Sequence, residues 1–120
     1  MLKNSSLFSK TIYSINGLIF AFKSEKAIRN ESTALILTQL FSFYMNKSLA
    51  THLFFLFMSI CPVIVEMINT SIEITIDKIL GENYREEVRQ VKDILSAAVF
   101  LSLFSSYGCI LFILIKNINF

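Results

Sequence analysis

The chain has 120 residues, 54% of them hydrophobic, a mean hydropathy of +0.61 and a net charge of +2. It is more apolar than an ordinary soluble domain, too short for more than one domain, and too weakly basic to point to nucleic acid. The apolar residues come in blocks, which points to a lipid bilayer and an all-α membrane protein.

Residues 5–29 open the chain with a helical stripe. Phe8, Ile12, Ile15, Ile19 and Phe22 recur at spacings of four and three, while Lys10, Tyr13, Ser14 and Gly17 lie largely off the stripe. The uncharged run Thr11 to Phe22 is too short to span and contains Asn16 and Gly17, so an amphipathic helix on the membrane surface is expected. The polar start, Met1 to Ser6, has no signal-peptide pattern. A first span is expected over residues 32–50, with Lys47 snorkelling to the interface. Asn46 to Thr51 then forms a tight turn, with His52 at the interface. A second helix, over residues 48–76, is longer than a bilayer needs and carries Pro62, which removes a backbone donor. Its part Leu53 to Val65 is uncharged, and Glu66 to Asp77 continues beyond the membrane. The third span, 94–115, is the clearest. Its 22 uncharged residues rise about 33 Å, enough for a core of about 30 Å. Cys61 and Cys109 lie in apolar runs and read as reduced thiols.

Three spans leave the N-terminus and the loop from Asp77 to Lys92 on one side, with nine Lys and Arg residues against Lys47 and Lys116 on the other. The positive-inside rule puts that side in the cytoplasm of a multi-pass membrane protein.

The carboxylates carry the chemistry. Glu66, Asn69, Glu73 and Asp77 follow one another at three, four and four residues and share a helix face. Counting about 20 residues from Ser48 puts Glu66 at the inner edge of the hydrocarbon and Glu73 about 10 Å further into the cytoplasm. A charge at that depth is expensive and usually functional. Glu25 and Glu31 stand among Lys23, Lys26 and Arg29 ahead of the first span, where a solvated interfacial face is the plainer reading. Phosphoryl transfer needs magnesium, cations for the phosphates and a group that deprotonates or orients the acceptor. Glu25 and Glu73 could hold the Mg2+ of MgATP, Glu66 could be the base, and the basic loop could hold the phosphates. Gly17, Gly81 and Gly108 are the only glycines, so neither a P-loop nor a kinase glycine loop can be built.

The segment Glu66-Met-Ile-Asn69-Thr-Ser-Ile-Glu73-Ile-Thr-Ile-Asp77 resembles the signature E-x-x-N-[ST]-[SA]-I-E-x-x-x-D of the prokaryotic diacylglycerol kinase family. Tyr13-Ser14-x-x-Gly17-Leu18, Glu25-Lys-Ala27-x-Arg29-x-Glu31 and Lys92-Asp93-x-x-Ser96-Ala97-Ala98-Val99 extend the resemblance over nearly the whole chain. It implies a homotrimer with three transmembrane helices and one surface helix per chain, and with sites shared between chains at the cytoplasmic surface. By resemblance Glu66 is the catalytic base and Glu25 and Glu73 are the metal-linked carboxylates. Tyr13, Asn83, Tyr84, Arg85, Lys92 and Asp93 match nucleotide-contacting positions. Lys10, Ser14, Glu31 and Ser96 match positions near the lipid, and Asn69 and Asp77 support the signature face. The chain departs from the enterobacterial type in a loop one residue longer before Lys92, in Leu95 where that type has Gly, and in lacking tryptophan. The activity implied is phosphorylation of diacylglycerol by ATP. The alternatives are an undecaprenol kinase of the same family, or a structural or channel-like trimer with an acidic mouth.

Overall fold

The structure, a computed structural model, describes residues 6–81 and 85–120, and the described residues form four helices and no strand. Helix α1 spans Leu7–Ser24, α2 Lys26–Tyr44, α3 Leu49–Leu80 and α4 Glu86–Ile115. Helix α3 is central and packs against both α2 and α4, while α1 packs against the start of α2.

Local sequence sets the helix ends. Ser6 and Ser48 cap α1 and α3, their hydroxyls accepting from the backbone N–H of Ser9 and Thr51 at 3.2 Å each. Glu25 is extended and separates α1 from α2. The guanidinium of Arg29 reaches back from α2 and donates to the carbonyls of Phe22 and Lys23, both at 2.9 Å. A cation there satisfies orphan carbonyls and meets the negative end of the α1 dipole. The charged segment around residues 23–31 is therefore helical on both sides of a break at Glu25, where the sequence suggested one helix over 5–29. Helix α4 starts eight residues before its apolar block, because Arg89 pairs with Glu86 and with Asp93 one turn away on either side.

Helices α2 and α4 both end on an asparagine with positive φ, Asn46 and Asn117 at 53°. In each, the two following N–H groups turn back onto the last helical carbonyls: Asn46 to Phe43 and Lys47 to Ser42, Asn117 to Leu114 and Ile118 to Ile113. The two caps are tied together by Lys47, whose ammonium donates to Asn117 Oδ1 at 3.0 Å and to the Ile118 carbonyl at 3.1 Å. Asn119 adds bonds to Ser48 and Thr51. His52 faces Ser42 at 2.6 Å and packs against the Phe43 ring.

Burial runs opposite to that of a soluble protein. The buried face of α3 is Thr51, Phe55, Ser59, Pro62, Glu66, Asn69 and Thr70, mostly small or polar. Large apolar side chains such as Phe100 (64% exposed) and Phe104 (70%) point outward. Such an exposed apolar surface marks a membrane or an assembly interface, and small buried residues are how membrane helices approach closely. Helices α3 and α4 are long and apolar enough to cross a bilayer. Helix α2, with Lys26, Arg29 and Glu31 in its first turns, does not meet that standard.

Candidate active site

Helix α3 carries Glu66, Asn69, Glu73 and Asp77 on one side, as their spacing requires. Glu66 is 6% exposed and Asn69 9%. Asn69 Nδ2 donates to Glu66 Oε1 at 3.4 Å, a long bond that still fixes the carboxylate toward its own helix. Glu31 arrives from α2, is 8% exposed, and lies close enough to Glu66 for the two carboxylates to repel. Glu73, one turn past Asn69, and Glu25, at the α1–α2 break, act on Glu66 electrostatically as well. Glu25, Glu31 and Glu73, from the α1–α2 junction, α2 and α3, thus lie within electrostatic reach of Glu66, where the apolar part of α3 ends.

Beyond them, Asp77 accepts a hydrogen bond from the Lys92 ammonium at 2.9 Å, joining the ends of α3 and α4. Lys92 precedes the apolar segment of α4. Its hydrogen bond to Asp77, with further attraction from Glu73, pushes the ammonium above its ordinary pKa. A fixed cation therefore stands beside the carboxylate group. Asp93 is engaged by Arg89 at 2.9 Å.

The remaining residues expected from the sequence make no hydrogen bond or ion pair to these carboxylates among the described residues. Lys10, Tyr13 and Ser14 are on exposed faces of α1, and the Ser14 hydroxyl bonds only the Lys10 carbonyl among the described residues. Ser96 is exposed on α4, and Arg85 is the exposed residue preceding it. Asn83 and Tyr84 lie outside the described residues. Three residues escaped the sequence reading: Arg29 as the brace of the α1–α2 bend, and Thr70 and Tyr107, whose buried hydroxyls have no partner among the described residues. A basic residue just past a helix stop is the signal that could have found Arg29. Nothing local marks Thr70 or Tyr107, because their burial depends on a facing helix.

Among the described residues no three His, Cys, Asp or Glu side chains converge as a closed metal site. The cluster can instead accept protons, offer one or two ligands to a hard cation that brings its own phosphate ligands, and set a cation beside them. Fold and site together define a helical membrane protein with a buried carboxylate group at the end of its apolar helices.

The family profile described as Prokaryotic diacylglycerol kinase matches residues 12–114. The diacylglycerol kinase of Escherichia coli (strain K12) is 31% identical over 107 residues, covering 86% of this chain and 87% of that protein, and that of Shigella flexneri matches equally. The diacylglycerol kinase of Haemophilus influenzae is 29% identical over 97 residues, 81% of each chain. The chain belongs to the prokaryotic diacylglycerol kinase family, and at the level of the family it is a lipid kinase.

Proposed function

We propose that this chain transfers the γ-phosphate of MgATP to the free hydroxyl of diacylglycerol, giving phosphatidic acid at the cytoplasmic face of the bacterial inner membrane. Glu66 takes the hydroxyl proton, the lipid oxygen attacks the γ-phosphorus, the bond to the β-phosphate oxygen breaks, and ADP leaves. The observation that carries this reading is Glu66 itself, buried, held by Asn69, and at the point where α3 passes from apolar to charged. An uncharged headgroup can bring a hydroxyl to that depth, whereas a strongly hydrated one pays heavily to enter.

Magnesium enters as part of the nucleotide. Glu25 and Glu73 would hold it, since magnesium usually takes only one or two carboxylates and fills its shell with phosphate and water. Lys92 would face the phosphates once released from Asp77, and Tyr13, Asn83, Tyr84, Arg85 and Asp93 would complete the nucleotide contacts. Lys10, Ser14, Glu31 and Ser96 would border the lipid. Because Tyr13 and Ser96 are exposed and make no bond to the carboxylates within one chain among the described residues, the site is best completed between chains of a homotrimer. The apolar part of α2 would then join α3 and α4 as a third span, with α1 on the membrane surface.

The deciding experiment is phosphorylation by the purified full chain with MgATP, offered diacylglycerol and undecaprenol in matched micelles. Radiolabelled phosphate in phosphatidic acid is expected. A preference for undecaprenol of tenfold or more in kcat/KM would overturn the substrate, and no lipid product at all would overturn the kinase.

A further inference from the structure

Between α2 and α4 lies an apolar cavity of about 360 Å³, bordered by Leu37, Thr38 and Phe41 on one side and Tyr107, Ile110 and Leu114 on the other. One polar atom in its wall is unexplained. The Tyr107 hydroxyl is buried and has no hydrogen-bond partner among the described residues. The neighbouring Thr38 hydroxyl gives its own proton to the Ala34 carbonyl at 2.7 Å and makes no bond to the phenol. Side chains on a helix lean toward its N-terminus, so Tyr107 leans toward the charged end of α4. Its hydroxyl comes within electrostatic reach of the Glu31 carboxylate. Glu31 Oε2 is also buried and without a partner among the described residues. In hydrocarbon an unpaired polar group is costly, and these two come from α2 and α4, on either side of α3.

The two atoms ask for opposite things. A carboxylate oxygen accepts, and needs a hydroxyl. A phenol beside a carboxylate is best used as a donor, and because it makes no bond to Glu31 here it remains open to an acceptor such as a carbonyl. Between and beyond them the walls are apolar. A neutral lipid with one free hydroxyl, an ester carbonyl a few bonds away and an alkyl chain satisfies all three.

Resting on the kinase reading above, we propose that Tyr107 is a specificity-determining residue that donates to an ester carbonyl of a glycerolipid, whose free hydroxyl lies at Glu31 and Glu66 and whose acyl chain occupies the α2–α4 cavity. A polyprenol brings a hydroxyl but no carbonyl and leaves Tyr107 unpaired. The hydroxyl thereby selects acylglycerols over isoprenoid alcohols without touching the reacting oxygen.

The test compares wild type with Tyr107→Phe, which keeps the ring and its packing. Initial rates are measured on diacylglycerol, on the dialkyl ether analogue that lacks the carbonyl, and on a polyprenol of matched solubility. Binding of the same three lipids without nucleotide is followed in parallel by native mass spectrometry. Wild type is expected to favour ester over ether about five- to tenfold, the worth of one neutral hydrogen bond. Tyr107→Phe should bring that ratio close to one through KM for the ester alone, leaving ether and polyprenol within about twofold. An unchanged ester-to-ether ratio in the variant overturns the proposal. So does a parallel fall on all three lipids, which would make Tyr107 a packing residue. Wild type inactive on every lipid would retire the kinase reading, and the ester-to-ether binding ratio would still judge Tyr107 on its own.

Discussion

Glu66→Gln separates the chemical role of the buried carboxylate from its structural one. The amide has nearly the same size, and its oxygen can still accept from Asn69 Nδ2, so the 3.4 Å contact survives. What is lost is the proton acceptor. A positioned general base contributes about 10²–10⁴ in rate, or about 3–5 kcal/mol of barrier. Stability should move the other way. Glu66 is repelled by Glu31, Glu73 and Glu25, and a neutral side chain relieves all three interactions. Turnover should therefore fall at least about a hundredfold while Tm in micelles stays level or rises. Asn69→Ala gives the contrast: its single long hydrogen bond is worth about 1 kcal/mol, so about fivefold in rate. The assay is ADP release at saturating MgATP and diacylglycerol, with a melting curve on the same sample. Near-normal turnover in Glu66→Gln would refute the base, and a fall in Tm matching the fall in rate would show that the carboxylate only holds the fold.

Glu25→Gln and Glu73→Gln should each raise the magnesium needed for half-maximal rate several-fold; Glu25 makes no side-chain capping bond, so its loss leaves α2 intact, and an unchanged magnesium curve in both variants would reduce them to surface charges. Inactive Glu25→Gln and Glu66→Gln chains, co-assembled, should recover part of the activity if sites are shared between chains, whereas no recovery would favour sites within one chain. Arg29→Ala removes two charge-assisted bonds to Phe22 and Lys23 and should loosen the α1–α2 bend by about 1–2 kcal/mol, seen as faster hydrogen exchange from Phe22 to Lys26 and a higher KM for MgATP. Unaltered exchange there would show that the bend is held by α1–α2 packing instead.

Much of this molecule was legible in the sequence, because its strongest signals are local. The uncharged stretch from Ile94 to Ile115 can hardly be anything but a membrane helix, since its length matches the hydrocarbon and no charge interrupts it. The acidic face of α3 follows from the helical repeat alone, and the twelve-residue signature it carries names the family before any coordinate is consulted. The ends were less legible. Charged residues 86–93 extend α4 by pairing with one another, and the run after Lys23 becomes a bend because Arg29 happens to reach the end of α1.

What the tertiary structure decided is the meeting of groups that local periodicity cannot relate. Glu31 in the sequence is one charge in a mixed interfacial run; packing α2 on α3 buries it within electrostatic reach of Glu66. Lys47 reads as a snorkelling surface lysine, yet it is buried where the caps of α2 and α4 meet, bonded to Asn117 and Ile118. Tyr107 looks like one more aromatic in an apolar span until the packed helices bury its hydroxyl. A helix fixes which residues share a face every 3.6 positions, but which face of a second helix lies opposite depends on axial offset and rotation, and those are set by side-chain packing along the whole length of both.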